Sequence, residues 1–114
     1  MDITELLERT AAAVRDVGAL IVQGIHRPKA VTMKGRVDLV TETDTAVEAR
    51  LKERLGALVP EAAFLAEESA QDLDPGELCW IIDPLDGTTN FAHGLPMVAT
   101  SVALWRDGES VIGV

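Results

Sequence analysis

The residues Trp80-Ile81-Ile82-Asp83-Pro84-Leu85-Asp86-Gly87-Thr88-Thr89-Asn90-Phe91 combine types and spacings that could do chemistry. The apolar Trp80-Ile81-Ile82 reads as a buried strand that delivers Asp83 at its C-terminal end. A carboxylate in that place must be neutralised, hydrogen-bonded or bound to a cation. Pro84 is expected to stop the strand and stiffen a turn. Asp86 then returns a second carboxylate three residues on. Two carboxylates with a backbone carbonyl between them suit a hard cation such as Mg²⁺. Gly87 permits close backbone approach, and if Thr88 and Thr89 open a helix, their free N–H groups form an anion site. Cations beside an anion cradle are the layout of metal-assisted phosphoryl transfer. The same run can also be an Asp-Pro-x-Asp-Gly turn with no ligand, and spacing alone leaves both open.

Two further acidic groups weigh on that choice. Glu67-Glu68 follows a short predicted strand, Phe64-Leu65-Ala66, and Asp38-Leu39-Val40-Thr41-x-x-Asp44 sets a carboxylate at the mouth of a helix. Taken singly, the first is a solvated acidic loop and the second a helix cap. Three such groups between residues 38 and 86 argue together for a shared site.

The elements that must carry these residues follow from periodicity. Ile3, Leu7, Val14, Ile21 and Ile25 predict a helix over 3–25, with Asp2 and Glu5 resembling a capping box. Residues 26–36, with His26, Pro28, Lys29, Lys34, Gly35 and Arg36, read as a loop, and Val37 to Val40 as a short extended piece. Thr43 or Asp44 is expected to cap a second helix carrying Val47, Leu51, Leu55 and Leu58, ended by Pro60. Residues 69–78 read as a polar loop. Val98 to Trp105 is a strand, Arg106-Asp107-Gly108-Glu109 a hairpin turn, and a further strand begins at Val111.

Composition bounds the function. The chain has 114 residues, enough for one domain, and 47% are hydrophobic, which excludes wholesale disorder. Ten basic against nineteen acidic residues give a net charge of −9, which argues against nucleic acid or an anionic membrane as partner. Between Arg54 and Arg106 there is no Lys or Arg, while Glu61, Glu67, Glu68, Asp72, Asp74, Glu77, Asp83 and Asp86 all fall there. Cys79 is the single cysteine, so no internal disulfide forms and a reducing, cytoplasmic setting is expected. It reads as a core residue, as do Trp80 and Trp105. Asp2, Glu5, Glu8 and Arg9 stand where an export signal would be basic and then apolar, so none is read. Ser110-Val111-Ile112-Gly113-Val114 ends inside an apolar strand, so a longer parent chain is expected.

The run Trp80–Phe91 followed by His93-Gly94-Leu95-Pro96, with Ala66-Glu67-Glu68-Ser69 and Asp38-Leu39-Val40-Thr41-Glu42-Thr43-Asp44, resembles the inositol monophosphatase family, part of the Mg²⁺-dependent, lithium-sensitive sugar-phosphatase group. Ala66 departs from the usual Gly of that family. The resemblance implies a layered αβαβα sugar-phosphatase fold of which residues 1–114 are the N-terminal part, and hydrolysis of a small phosphate monoester, first of all myo-inositol monophosphate, with two or three Mg²⁺ ions. It implies that Glu67, Asp83 and the Leu85 carbonyl hold one Mg²⁺, and that Asp83 and Asp86 share a second. Thr88 with Asp44 would orient and deprotonate the attacking water. The N–H groups of Gly87 and Thr88 would hold the phosphate, Lys34 would stand near the substrate mouth, and Glu68 would orient its neighbours. The family commonly forms homodimers. A further Asp ligand, from a Trp-Asp motif downstream, is absent here, so residues 1–114 alone are expected to be inactive.

Other readings stay in view. Haloacid-dehalogenase-like phosphatases use a nucleophilic Asp in an Asp-x-Asp-Gly-Thr run, whereas Asp83 and Asp86 are three apart with Pro84 between them, which disfavours that class. Asp86-Gly87-Thr88-Thr89-Asn90-Phe91 is also compatible with fructose-1,6-bisphosphatase activity within the same group. Relatives acting on phosphoadenosine phosphate or histidinol phosphate rank lower. A non-enzymatic regulatory protein retaining the fold is the remaining alternative.

Overall fold

The computed structural model describes residues 1–28, 31–34, 38–66 and 77–114, with backbone alone over 31–34 and 38–40. Glu67, Glu68, Arg36 and residues 69–76 of the loop expected over 69–78 lie outside the described residues, as does the side chain of Lys34; the last residue of that expected loop, Leu78, already belongs to a strand.

Helix α1 spans Ile3–Ile25, the length its apolar period predicts, with Asp2 as N-cap accepting from the Glu5 amide at 2.8 Å. Strands β1 (Val31–Lys34) and β2 (Asp38–Thr41) form an antiparallel pair, so part of the segment expected to be a loop is a strand. Helix α2 runs Glu42–Leu58 and packs against α1. Strands β3 (Ala63–Ala66), β4 (Leu78–Asp86), β5 (Ala99–Arg106) and β6 (Glu109–Gly113) form one sheet in the order β3-β4-β5-β6. Only the β3–β4 pairing is parallel. A five-residue helix, α3 (Thr88–Ala92), sits between β4 and β5. The hairpin turn joining β5 to β6 has Asp107 and Gly108 both at positive φ, 51° and 84°, the twist-matched two-residue geometry that Asp-Gly favours.

Both long helices lie on one face of the sheet. Leu6, Ala13 and Val17 of α1 and Val47, Leu51 and Leu55 of α2 close on Trp80, Ile82, Val102, Leu104 and Ile112. A second cluster joins the end of α1 to the site region through Ile25, Leu85 and Phe91. Trp80 is fully buried, as expected, whereas Trp105 is only half-buried. Among the described residues no helix is long and apolar enough to cross a membrane.

Candidate active site

The start of α2 and the end of β4 both depart from expectation, and both departures shape the site. The N-cap of α2 is Thr41, not Thr43 or Asp44. Thr41 is extended (φ −104°, ψ 165°), and Asp44 is the third helical residue of a capping box, returning Oδ2 to the Thr41 amide at 2.9 Å and to the Thr41 hydroxyl. The spacing Thr41-x-x-Asp44 before an apolar run carried that signal. Pro84 does not end β4. Pairing with β5 holds Asp83 opposite Ser101 and resumes with Asp86 opposite Ala99, and the register shifts between them. Proline is tolerated at such an irregularity, where its missing N–H costs no ladder bond. The Pro84 carbonyl is instead satisfied by the Thr100 hydroxyl at 2.8 Å.

The irregular end of β4 sorts its side chains. Leu85 is buried against Ile25 and Phe91, and Asp86 is exposed. Ile82 enters the helix-covered core, so the alternation of a strand sends Asp83 to the opposite face. Gly87 caps α3 at φ 90° with no side-chain hydrogen bond, and its carbonyl accepts from the Phe91 amide at 2.9 Å. A Cβ on Gly87 would lie 2.6 Å from the Met97 carbonyl oxygen, a backbone atom with little freedom to yield. Gly87→Ala is therefore expected to destabilise the protein by about 1–3 kcal/mol, from positive φ and the clash together. A thermal melt checks this, and an unchanged melting temperature would contradict it.

The two residues expected to act on water meet across forty-four positions of sequence. The Thr88 hydroxyl donates to Asp44 Oδ1 at 2.8 Å and lies 3.1 Å from the Leu85 carbonyl. With one proton to give, the shorter contact to a carboxylate wins, because charge-assisted bonds are the stronger. Asp44 is fully buried, and its carboxylate accepts from the Thr41 amide, the Thr41 hydroxyl and the Thr88 hydroxyl. Those bonds compensate a desolvation that would otherwise cost several kcal/mol, about as much as any isolated buried ion.

Asp83 is in the contrary condition. Among the described residues, only Asp83 Oδ1 and Trp80 Nε1 are buried side-chain polar atoms without a hydrogen-bond partner. A buried carboxylate oxygen left unsatisfied calls for a cation, and hard oxygen donors suit Mg²⁺. Asp83 Oδ1 therefore suits the expected metal as one of its donors. No three metal-ligating side chains converge among the described residues, and Glu67, the third expected ligand, lies outside them. Burial pushes the Cys79 thiol above its ordinary pKa, which keeps it protonated and unreactive, in keeping with a core residue. His93 is exposed, with Nδ1 2.8 Å from the Thr89 carbonyl, closing the end of α3.

The family model described as the inositol monophosphatase family matches residues 2–114. The chain belongs to the inositol monophosphatase family. Inositol monophosphatase 3 of Solanum lycopersicum is 39% identical over 116 residues, covering 98% of this chain and 43% of its own length. The extragenic suppressor protein suhB from Bartonella henselae superposes with a TM-score of 0.88 at 34% identity, over 96% of this chain and 44% of that one. An IMPase/NADP phosphatase solved in complex with NADP and Ca²⁺ superposes with a TM-score of 0.85 at 25% identity, over 96% and 43%. The mixed α/β fold expected for this inositol monophosphatase relative is thus the fold observed. The chain spans about two fifths of the length of the curated relatives it matches.

Proposed function

We propose that this chain takes part in Mg²⁺-dependent hydrolysis of a small phosphate monoester, first of all myo-inositol monophosphate. The observation that carries the reading is the pairing of a buried, fully hydrogen-bonded Asp44 with the Thr88 hydroxyl beside the irregular strand end that bears Asp83. Thr88 spends its one proton on Asp44, so its oxygen lone pairs are free to accept from a water. Asp44 Oδ1 is then the acceptor on hand for the proton that Thr88 passes on as its own oxygen takes one from the water. In this reading the N–H groups of Gly87 and Thr88, at the uncapped start of α3, would hold the phosphate, and Lys34 would stand near the substrate mouth. Asp83, Asp86, the Leu85 carbonyl and Glu67 would hold the metal, with Glu68 orienting them. The chemistry supplied by bound Mg²⁺ is neutralised phosphate charge, a more acidic water and a stabilised leaving oxygen. A relative solved with Ca²⁺ supports a divalent cation in this fold.

In this reading the chain is the amino-terminal part of a longer inositol-monophosphatase-like domain, which works as a homodimer in the cytoplasm. The test is phosphate release by the intact protein from inositol 1-phosphate and from fructose 1,6-bisphosphate, with Mg²⁺ and with chelator. Release from inositol 1-phosphate that needs Mg²⁺ is expected. Release independent of any divalent cation, or none from either substrate, would defeat the proposal.

A further inference from the structure

Gly24 is the last residue but one of α1, still helical, where glycine is a poorer helix former than alanine. A Cβ there would stand 2.6 Å from Thr43 Oγ1 and 2.8 Å from Phe91 Cζ. Neither neighbour yields easily. Phe91 is fully buried in α3 against Ile25 and Leu85, and Thr43 is a β-branched, buried residue in the first turn of α2. Gly18, six residues earlier in the same helix, has nothing within 4 Å of its would-be Cβ. Only Gly24 of the two is fixed by its neighbours.

The contact joins three elements. Thr43 adjoins Asp44, and Phe91 lies three residues beyond Thr88, so the end of α1 touches both carriers of the 2.8 Å Thr88–Asp44 bond. We infer that Gly24 is a positioning residue: its missing side chain lets α1 close on α2 and α3 together and so fixes the separation of Thr88 from Asp44. Gly24 acts through Thr43 and Phe91 alone. A methyl group there must push Thr43, Phe91 or both outward, and a hydrogen bond weakens steeply as its partners separate. This inference rests on the proposed water-activating role of the pair, but its geometry can be tested without turnover.

The test compares Gly24→Ala with Gly18→Ala in the intact protein. Gly24→Ala is expected to lower kcat by roughly 10- to 100-fold while KM changes little, as a small misplacement of reacting groups does. Amide exchange at Thr41, which donates to Asp44, should accelerate about tenfold while amides in the middle of α2 keep their protection. Gly18→Ala should raise the melting temperature and leave kcat and Thr41 exchange unchanged. Adding Thr43→Ala and Phe91→Leu to Gly24→Ala removes both close atoms and should restore kcat, although the smaller core lowers the melting temperature. Wild-type Thr41 exchange in Gly24→Ala, or acceleration spread evenly along α2, overturns the inference. So does a triple variant as slow as Gly24→Ala. If Gly24→Ala does not fold, the same comparison is made in the Thr43→Ala background. A wild-type protein that releases no phosphate defeats the proposed function and leaves the exchange comparison to decide on Gly24.

Discussion

Asp83→Asn in the intact protein is expected to abolish measurable turnover, a loss on the order of 10³-fold or more, and extra Mg²⁺ does not restore it. The substitution is nearly isosteric and keeps one oxygen. What it removes is the charge on a group whose Oδ1 is buried and, among the described residues, unpartnered. A neutral amide is cheaper to hold in that place than a carboxylate, so the melting temperature should stay level or rise. Activity lost at undiminished stability is the signature of a group kept for function. Near-normal turnover in a folded Asp83→Asn protein would remove Asp83 from the metal site.

Thr88→Ala and Asp44→Asn should each lower kcat by roughly 10²-fold or more, with KM little moved, because they act on the water and not on the bound phosphate. They differ in stability. Asp44 also closes the capping box of α2 with Thr41, so Asp44→Asn should cost on the order of 1 kcal/mol, whereas Thr88→Ala leaves that cap intact. Since the two side chains work as one hydrogen-bonded unit, the double variant should be about as slow as the slower single one. Losses in KM at unchanged kcat would make Thr88 a phosphate-binding group only, and multiplicative losses in the double variant would separate the two residues.

Much of the scaffold was legible because its signals are local. The apolar period from Ile3 to Ile25 with Asp2 before it, and Asp107-Gly108 between two apolar runs, each name an element without reference to the rest of the chain. The errors arose where partners decide. Val31–Lys34 is four residues long, too short for a period, and is a strand because β2 lies beside it. Thr41, Thr43 and Asp44 can all cap a helix, and only the reciprocal Thr41–Asp44 pair selects the first. Pro84 ends strands as a rule, yet β5 re-pairs beyond it after a shift of register. At the site, Asp83 and Asp86 were visible as a local motif, whereas the meeting of Thr88 with Asp44 rested on family resemblance until the fold brought them to 2.8 Å. The role of Gly24 was not legible at all, since it depends on three elements closing on one Cα.

The most direct test of a cation site at Asp83 is a Mn²⁺ titration of the chelator-treated intact protein, followed by electron paramagnetic resonance, for the wild type and Asp83→Asn. The account predicts that the wild type binds Mn²⁺, that Mg²⁺ displaces it, and that Asp83→Asn loses at least one bound ion while remaining folded. Equal numbers of ions bound with equal affinity by the two proteins would contradict it.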